Sequence, residues 1–189
     1  MGVTPWRELK GWILVFAVVF LLVFTFRNRQ MHKTTQKADP QVYFGLRDMM
    51  LHTSRERIGI PKPANQNEPW GVMMDWGIPT GSATTVALAD GTASVYLISG
   101  GGFIGGESHE SIRNAAKQAV EAAKGVQPLT QLTTDYPIPQ RGGVIFYLFT
   151  DSGVFTGNAT EEQLRTHQSP LHKLRDAAQN VITEYRRIQ

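Results

Sequence analysis

The first apolar pattern in the chain is a continuous one. Trp12 to Phe26, WILVFAVVFLLVFTF, carries no charge. With Leu9 and Gly11 added and the Lys10 ammonium reaching outward, the run extends to about 18 residues, near the lower limit for a helix crossing the roughly 30 Å hydrocarbon layer. Trp6 and Trp12 stand where an interfacial aromatic belt falls. A cleaved secretory signal would continue into a small-x-small site, but the run ends in TFRNRQMHK, bulky and cationic. The pattern therefore predicts an N-terminal flank over 1–10, a signal-anchor transmembrane helix over 11–26, a basic linker over 27–40 and a soluble domain over 41–189.

Beyond Pro40 the apolar residues become periodic. QVYFGLRDMMLHTS places Val42, Leu46, Met49 and Met50 on one helical face and predicts a short amphipathic helix. Residues 55–70 are polar and interrupted by proline, and predict an irregular loop. WGVMMDWGI follows. The Asp90-Gly91 pair then separates two β-prone runs and predicts a hairpin, with strands at about 83–89 and 92–99, because a tight turn needs positive φ. ESIRNAAKQAVEAAKG lines Ile112, Ala115, Ala116, Ala119 and Ala123 along one side of a helix, with Gly125 as its expected C-terminal stop. GGVIFYLFTDSGVFTGN predicts a second strand pair whose first member, apolar on both faces, belongs in the interior of a sheet. Thr160 opens a capping box, TEEQ, and Ser169-Pro170 predicts a helix with serine as cap and proline in its first position. That last helix carries the seam Leu171, Leu174, Ala178, Val181, Tyr185, Ile188, which suits either packing on the sheet of the same chain or pairing with a second copy, and its barely three turns favour the former. Hairpins dominate this order of elements. The expected fold class is α+β, a mainly antiparallel sheet with packed helices, preceded by one transmembrane helix.

Charge changes the picture in one respect. The 189-residue chain is formally +3, but residues 1–37 hold six Lys/Arg against the single acid Glu8, leaving 13 basic and 15 acidic residues beyond them. The basicity belongs to the membrane-proximal segment, where Arg27, Arg29, Lys33 and Lys37 face lipid headgroups. The soluble domain lacks the single-sign stripe that follows a phosphate backbone, so nucleic acid is not an expected partner. Two cations precede the apolar run and four follow it, which favours a cytoplasmic C-terminal domain. The absence of cysteine excludes disulfides, thiolate metal sites and a cysteine nucleophile.

Candidate chemistry centres on SGGGFIGGESHES. Gly100, Gly102 and Gly105 spell G-x-G-x-x-G between a strand and a helix, with Ser108, His109 and Arg113 close by. A dinucleotide fingerprint also needs parallel strands on both sides and an acid about 20 residues on. Here the preceding strand is already one arm of a hairpin, Asp135 lies further along, and Glu107 and Glu110 occupy the helix start that would attract phosphate. The glycines therefore read as a sharply turned corner that lets the alanine helix approach the sheet. Ser108, His109 and Glu110 are neighbours that point to different faces, not a triad. His167 and His172 lack the i, i+4 register of a helical metal pair and read as solvated surface. Asp75, Asp135 and Asp151 are expected at strand ends, in turn chemistry. Asn158-Ala159-Thr160 is a glycosylation sequon only for an extracytoplasmic domain. No cofactor, metal or catalytic residue is assigned.

From Trp70 onward, the Asp-Gly hairpin, covering helix, second apolar strand pair and long terminal helix resemble the roadblock and longin families of profilin-like domains. The resemblance covers about 110 residues and rests on element order. It implies a non-catalytic scaffold that pairs sheets or helices into dimers and docks small GTPases or trafficking and motility partners. The proline-bearing loop and the glycine cluster depart from the roadblock pattern, and no family residue maps onto a position here. The expected function is a single-pass membrane protein with a scaffold or assembly domain, its partners the lipid bilayer and a protein or second copy. The rival is a membrane-tethered enzyme or small-ligand sensor using the glycine corner.

Overall fold

A computed structural model describes residues 39–188. The expected N-terminal flank, transmembrane anchor and nearly all of the expected basic linker fall outside the described residues. Among those described, no helix is long and apolar enough to cross a membrane.

The domain is α+β. Helix α1 (Pro40–Leu51) leads through an irregular stretch to strands β1 (Gly71–Ile78), β2 (Gly81–Leu88), β3 (Ala93–Leu97) and β4 (Gly102–Ile104). Helix α2 (Glu110–Val126) follows, then β5 (Gln131–Thr133), β6 (Gly143–Thr150), β7 (Gly153–Thr160), the single-turn-scale helix α3 (Glu161–Arg165) and α4 (His172–Arg187). The seven strands form one sheet in the order β4-β3-β2-β1-β6-β7-β5, and every pairing is antiparallel. β1 and β6 lie side by side in its interior, with Met73 opposite Tyr147. This is why both faces of β6 are apolar: Val144, Phe146 and Leu148 pack under α2 and α4, while Tyr147 and Phe149 pack on the opposite side under α1.

The alanine face of α2 is buried throughout, and the small side chains let it pack closely against α4 and the sheet. The seam of α4 is consumed by the same core. Leu171, Leu174, Ala178, Val181 and Tyr185 are buried and Ile188 packs at its margin. The Asp90-Gly91 hairpin forms with Gly91 at φ +96°, and Asp90 Oδ1 accepts from the Thr92 amide at 2.8 Å. Its strands are shifted by up to two residues from the expected limits. Thr160 caps α3 in a complete capping box with Gln163.

Three local expectations are corrected. Gly125 does not stop α2, which runs on to Val126 and into a 3₁₀ turn at Gln127–Leu129. Ser169 does not cap α4 directly: its hydroxyl accepts from the Leu171 amide at 3.3 Å, Pro170 lies in that turn, and the helix begins at His172. The third concerns α1. Of the four residues expected on its inner face only Met50 is buried, alongside Tyr43, Arg47 and Leu51. Val42 and Met49 are 49% and 59% exposed. The helix is turned by the burial of Arg47, which apolar periodicity alone would have placed outside.

Candidate functional site

What Arg47 reaches is Asp75, in the middle of β1 and 0% exposed. Asp75 lies on the face of β1 that α1 covers, and its cross-strand neighbour Thr84 shares that face. Arg47 Nε donates to Asp75 Oδ2 at 2.8 Å, and the Thr84 hydroxyl donates to the other carboxylate oxygen. The Tyr43 hydroxyl lies 2.8 Å from the Thr84 hydroxyl, which gives its own proton to Asp75. Ser82 Oγ lies 3.1 Å from the same tyrosine oxygen. Arg47 Nη2 donates to the carbonyls of Tyr136 and Pro137 at 3.0 and 3.1 Å, and Tyr147 donates to Pro137 at 3.0 Å. One guanidinium thus joins α1, the central strand and the segment leading into β6.

A charge pair taken out of water is costly unless the remaining donors and acceptors are met, and no fully buried side-chain atom of this pair lacks a hydrogen-bond partner. Burial raises the Asp75 carboxyl above its ordinary value of 3.8, while Arg47 and Thr84 pull it back down. Burial and the Asp75 charge push Tyr147 up to about 12. Burial pulls on the Arg47 guanidinium in the opposite sense, but its contacts with Asp75 outweigh this and leave it raised and charged. Among the described residues, the buried side-chain nitrogen without a hydrogen-bond partner is Arg175 Nε, outside this network, with Asp176 Oδ1 at 3.1 Å.

The glycine corner is a different construction. Gly100 and Gly101 turn the chain from β3 into β4, both at positive φ. Gly102 has φ +151°, and a Cβ there would stand 2.2 Å from the Val95 carbonyl oxygen, so the backbone of β3 approaches too closely for any side chain. Gly105, at φ +77°, turns into a 3₁₀ segment at Gly106–Ser108. A Cβ on Gly106 would meet the Tyr185 hydroxyl at 2.5 Å. That hydroxyl donates to the Ala93 carbonyl at 2.7 Å, and its ring stacks on Phe103 with centroids 5.0 Å apart. The corner therefore seats the end of α4 against the edge of the sheet. Arg113 lies with its stem against Gly91 and donates to the Glu107 carbonyl at 2.6 Å, while Ser108 is exposed. No parallel strand flanks the corner, so the G-x-G-x-x-G spacing lacks the strand geometry of a dinucleotide fold.

Of the three aspartates expected at strand ends in turns, Asp75 is instead inside β1, placed there by its buried partner Arg47, and the three do not converge. Asp75 is in the ion pair, Asp151 accepts from Arg55 Nε at 2.7 Å, and Asp135 is exposed in a turn closed by Thr133. His167 and His172, read as solvated surface, are exposed and half-buried respectively; their rings stack with centroids 4.5 Å apart, and His167 adopts φ +58°. Among the described residues no group of three or more metal-ligating side chains forms. A polar cleft of about 330 Å³ lies between Thr53, Arg55, Lys62, Trp70 and Asp151, with Arg55 already paired to Asp151 and Glu56.

Sequence reasoning missed the Arg47–Asp75 pair. Its signal was a lone arginine among apolar residues of a short helix and a lone aspartate inside VMMDW. Neither is informative until the two are brought together. No family model, curated protein or solved structure matches the chain.

Proposed function

We propose that this chain is a single-pass membrane protein whose domain at 41–189 is a non-catalytic assembly module. The observation that carries the reading is the contrast across α1. Its inner face is held to the sheet by the buried Arg47–Asp75 pair, and its outer face leaves Val42 and Met49 open to a partner. Large apolar side chains exposed together on one helical face mark an interaction surface. The anchor is supported by the uncharged run from Trp12 and its basic flanks, and the cytoplasmic side by the excess of cations after the run. The resemblance to roadblock and longin domains adds the scaffold class.

The test uses the full chain. It should float with lipid vesicles and resist carbonate extraction, and protease added outside sealed inverted vesicles should digest the domain. Nucleotides and dinucleotides should leave its melting temperature unchanged. A mature protein beginning near residue 30 would replace the anchor with a cleaved signal, and a clear upward melting shift with a dinucleotide would favour the ligand-sensor reading.

A further inference from the structure

The open face of α1 contains a glycine that packing among the described residues does not explain. Val42, Gly45, Leu46 and Met49 follow the i, i+3, i+4, i+7 spacing of one helical stripe. Val42, Gly45 and Met49 are exposed and Leu46 is half-buried. Glycine in a helix interior costs about 1 kcal/mol relative to alanine. Gly45 recovers nothing for this among the described residues: its φ is not positive, and a Cβ built on it meets no atom of them within 4 Å apart from its own helix. The contrast with Gly102 and Gly106 is direct, since there a side chain would collide with the chain itself.

We propose that α1 pairs with α1 of a second copy of this chain, the two helices crossing at Gly45. A glycine at a crossing point lets two backbones approach, and flanking large apolar side chains then interlock across it. A lipid surface would gain nothing from a missing side chain at the centre of the stripe; a facing helix would. The stripe is self-complementary, with Val42 and Met49 on either side of Gly45, as a two-fold interface requires. The length of chain preceding the described residues suits the same occupant. Twelve residues, 27–38, separate Phe26 from Asp39, a reach of at most about 45 Å. Copies anchored in one bilayer would therefore present their α1 helices within the same shallow layer, at raised effective concentration. This inference deepens the assembly reading by naming its partner.

Because the chain has no cysteine, a spin label on Met49→Cys reports from one position. Met49 lies four residues from Gly45, about 6 Å along the helix axis. Two labels on paired helices therefore fall within about 20 Å of one another, whichever way the helices run. Full-length chain in lipid vesicles should show this short distance by pulsed dipolar EPR. A Lys173→Cys label, on the exposed side of α4, should show none below that limit. Gly45→Leu should abolish the short distance and weaken self-association in detergent at least tenfold by sedimentation, with melting temperature unchanged or raised because leucine is the better helix former. A short distance that survives Gly45→Leu overturns the proposal. So does a Met49 label that reports lipid contact, free water, or immobilisation in a monomer. Flotation reads the anchor separately: a chain that floats without pairing removes the pairing alone, and one that pairs in detergent without floating removes the anchor alone.

Discussion

Gly101 and Gly102 are adjacent, both have positive φ, and they are constrained for different reasons. A side chain at 101 would enter open space, so alanine there meets only the strain of its backbone conformation. At 102 the added carbon would also press on the Val95 carbonyl oxygen, a backbone atom that cannot rotate away. Gly101→Ala should therefore cost about 1 kcal/mol, and Gly102→Ala clearly more, with β4 detaching from β3. Urea midpoints of the two variants check the order, and hydrogen exchange at β3 checks the location. Equal losses would mean that φ alone decides both positions. The glycine spacing first read as a corner is thus divided: Gly100 and Gly101 make a turn, Gly102 admits a neighbouring strand, Gly105 turns the chain again at positive φ, and Gly106 makes room for Tyr185.

At the scale of elements, α4 tests how the core is shared. Leu174 is fully buried between α2 and the sheet. Leu174→Ala should cost about 2 to 5 kcal/mol, and Leu174→Asp should leave the domain unfolded or aggregated by circular dichroism. A folded Leu174→Asp protein that merely changed oligomeric state would place the seam at an interface instead. The elements that the sequence disclosed are those encoded locally. The Asp-Gly turn, the TEEQ box, the alanine face and the two-sided apolar strand each carry their instruction within a few residues. The orientation of α1 is encoded otherwise. Its apolar period points to Val42, Leu46 and Met49, but the helix turns to satisfy Arg47, whose partner is 28 residues away in the chain. Likewise, nothing local announces that β1 pairs with β6, or that the short edge strands β4 and β5 extend the sheet to seven. The α1 site was illegible for this reason, whereas the corner could be placed, though not its service to Tyr185.

For the whole molecule, the Arg47–Asp75 pair couples fold stability to pH. Folding raises the pKa of Asp75 above its unfolded value, with burial the leading cause. A group raised in this way favours the folded state most below its unfolded pKa, and that contribution declines as pH rises through the folded value. Subtracting the stability of Asp75→Asn from that of the parent across this range, by urea denaturation, should therefore leave a difference that falls with increasing pH. A difference that rises with pH would mean that Arg47 outweighs burial at this carboxyl. The position of the pair also determines how the domain bears force. A pull arriving from the N-terminal side enters at Asp39 and runs along α1, whose first polar attachments to the sheet are Tyr43 and Arg47. The load passes to β1, which is gripped on one side by β2 and on the other by β6, and is shared across neighbouring strands instead of peeling one from an edge. Tension would shear α1 from the sheet before it opened the strands, making the helix a mechanical fuse that can yield and reseat while the sheet and its two covering helices stay folded.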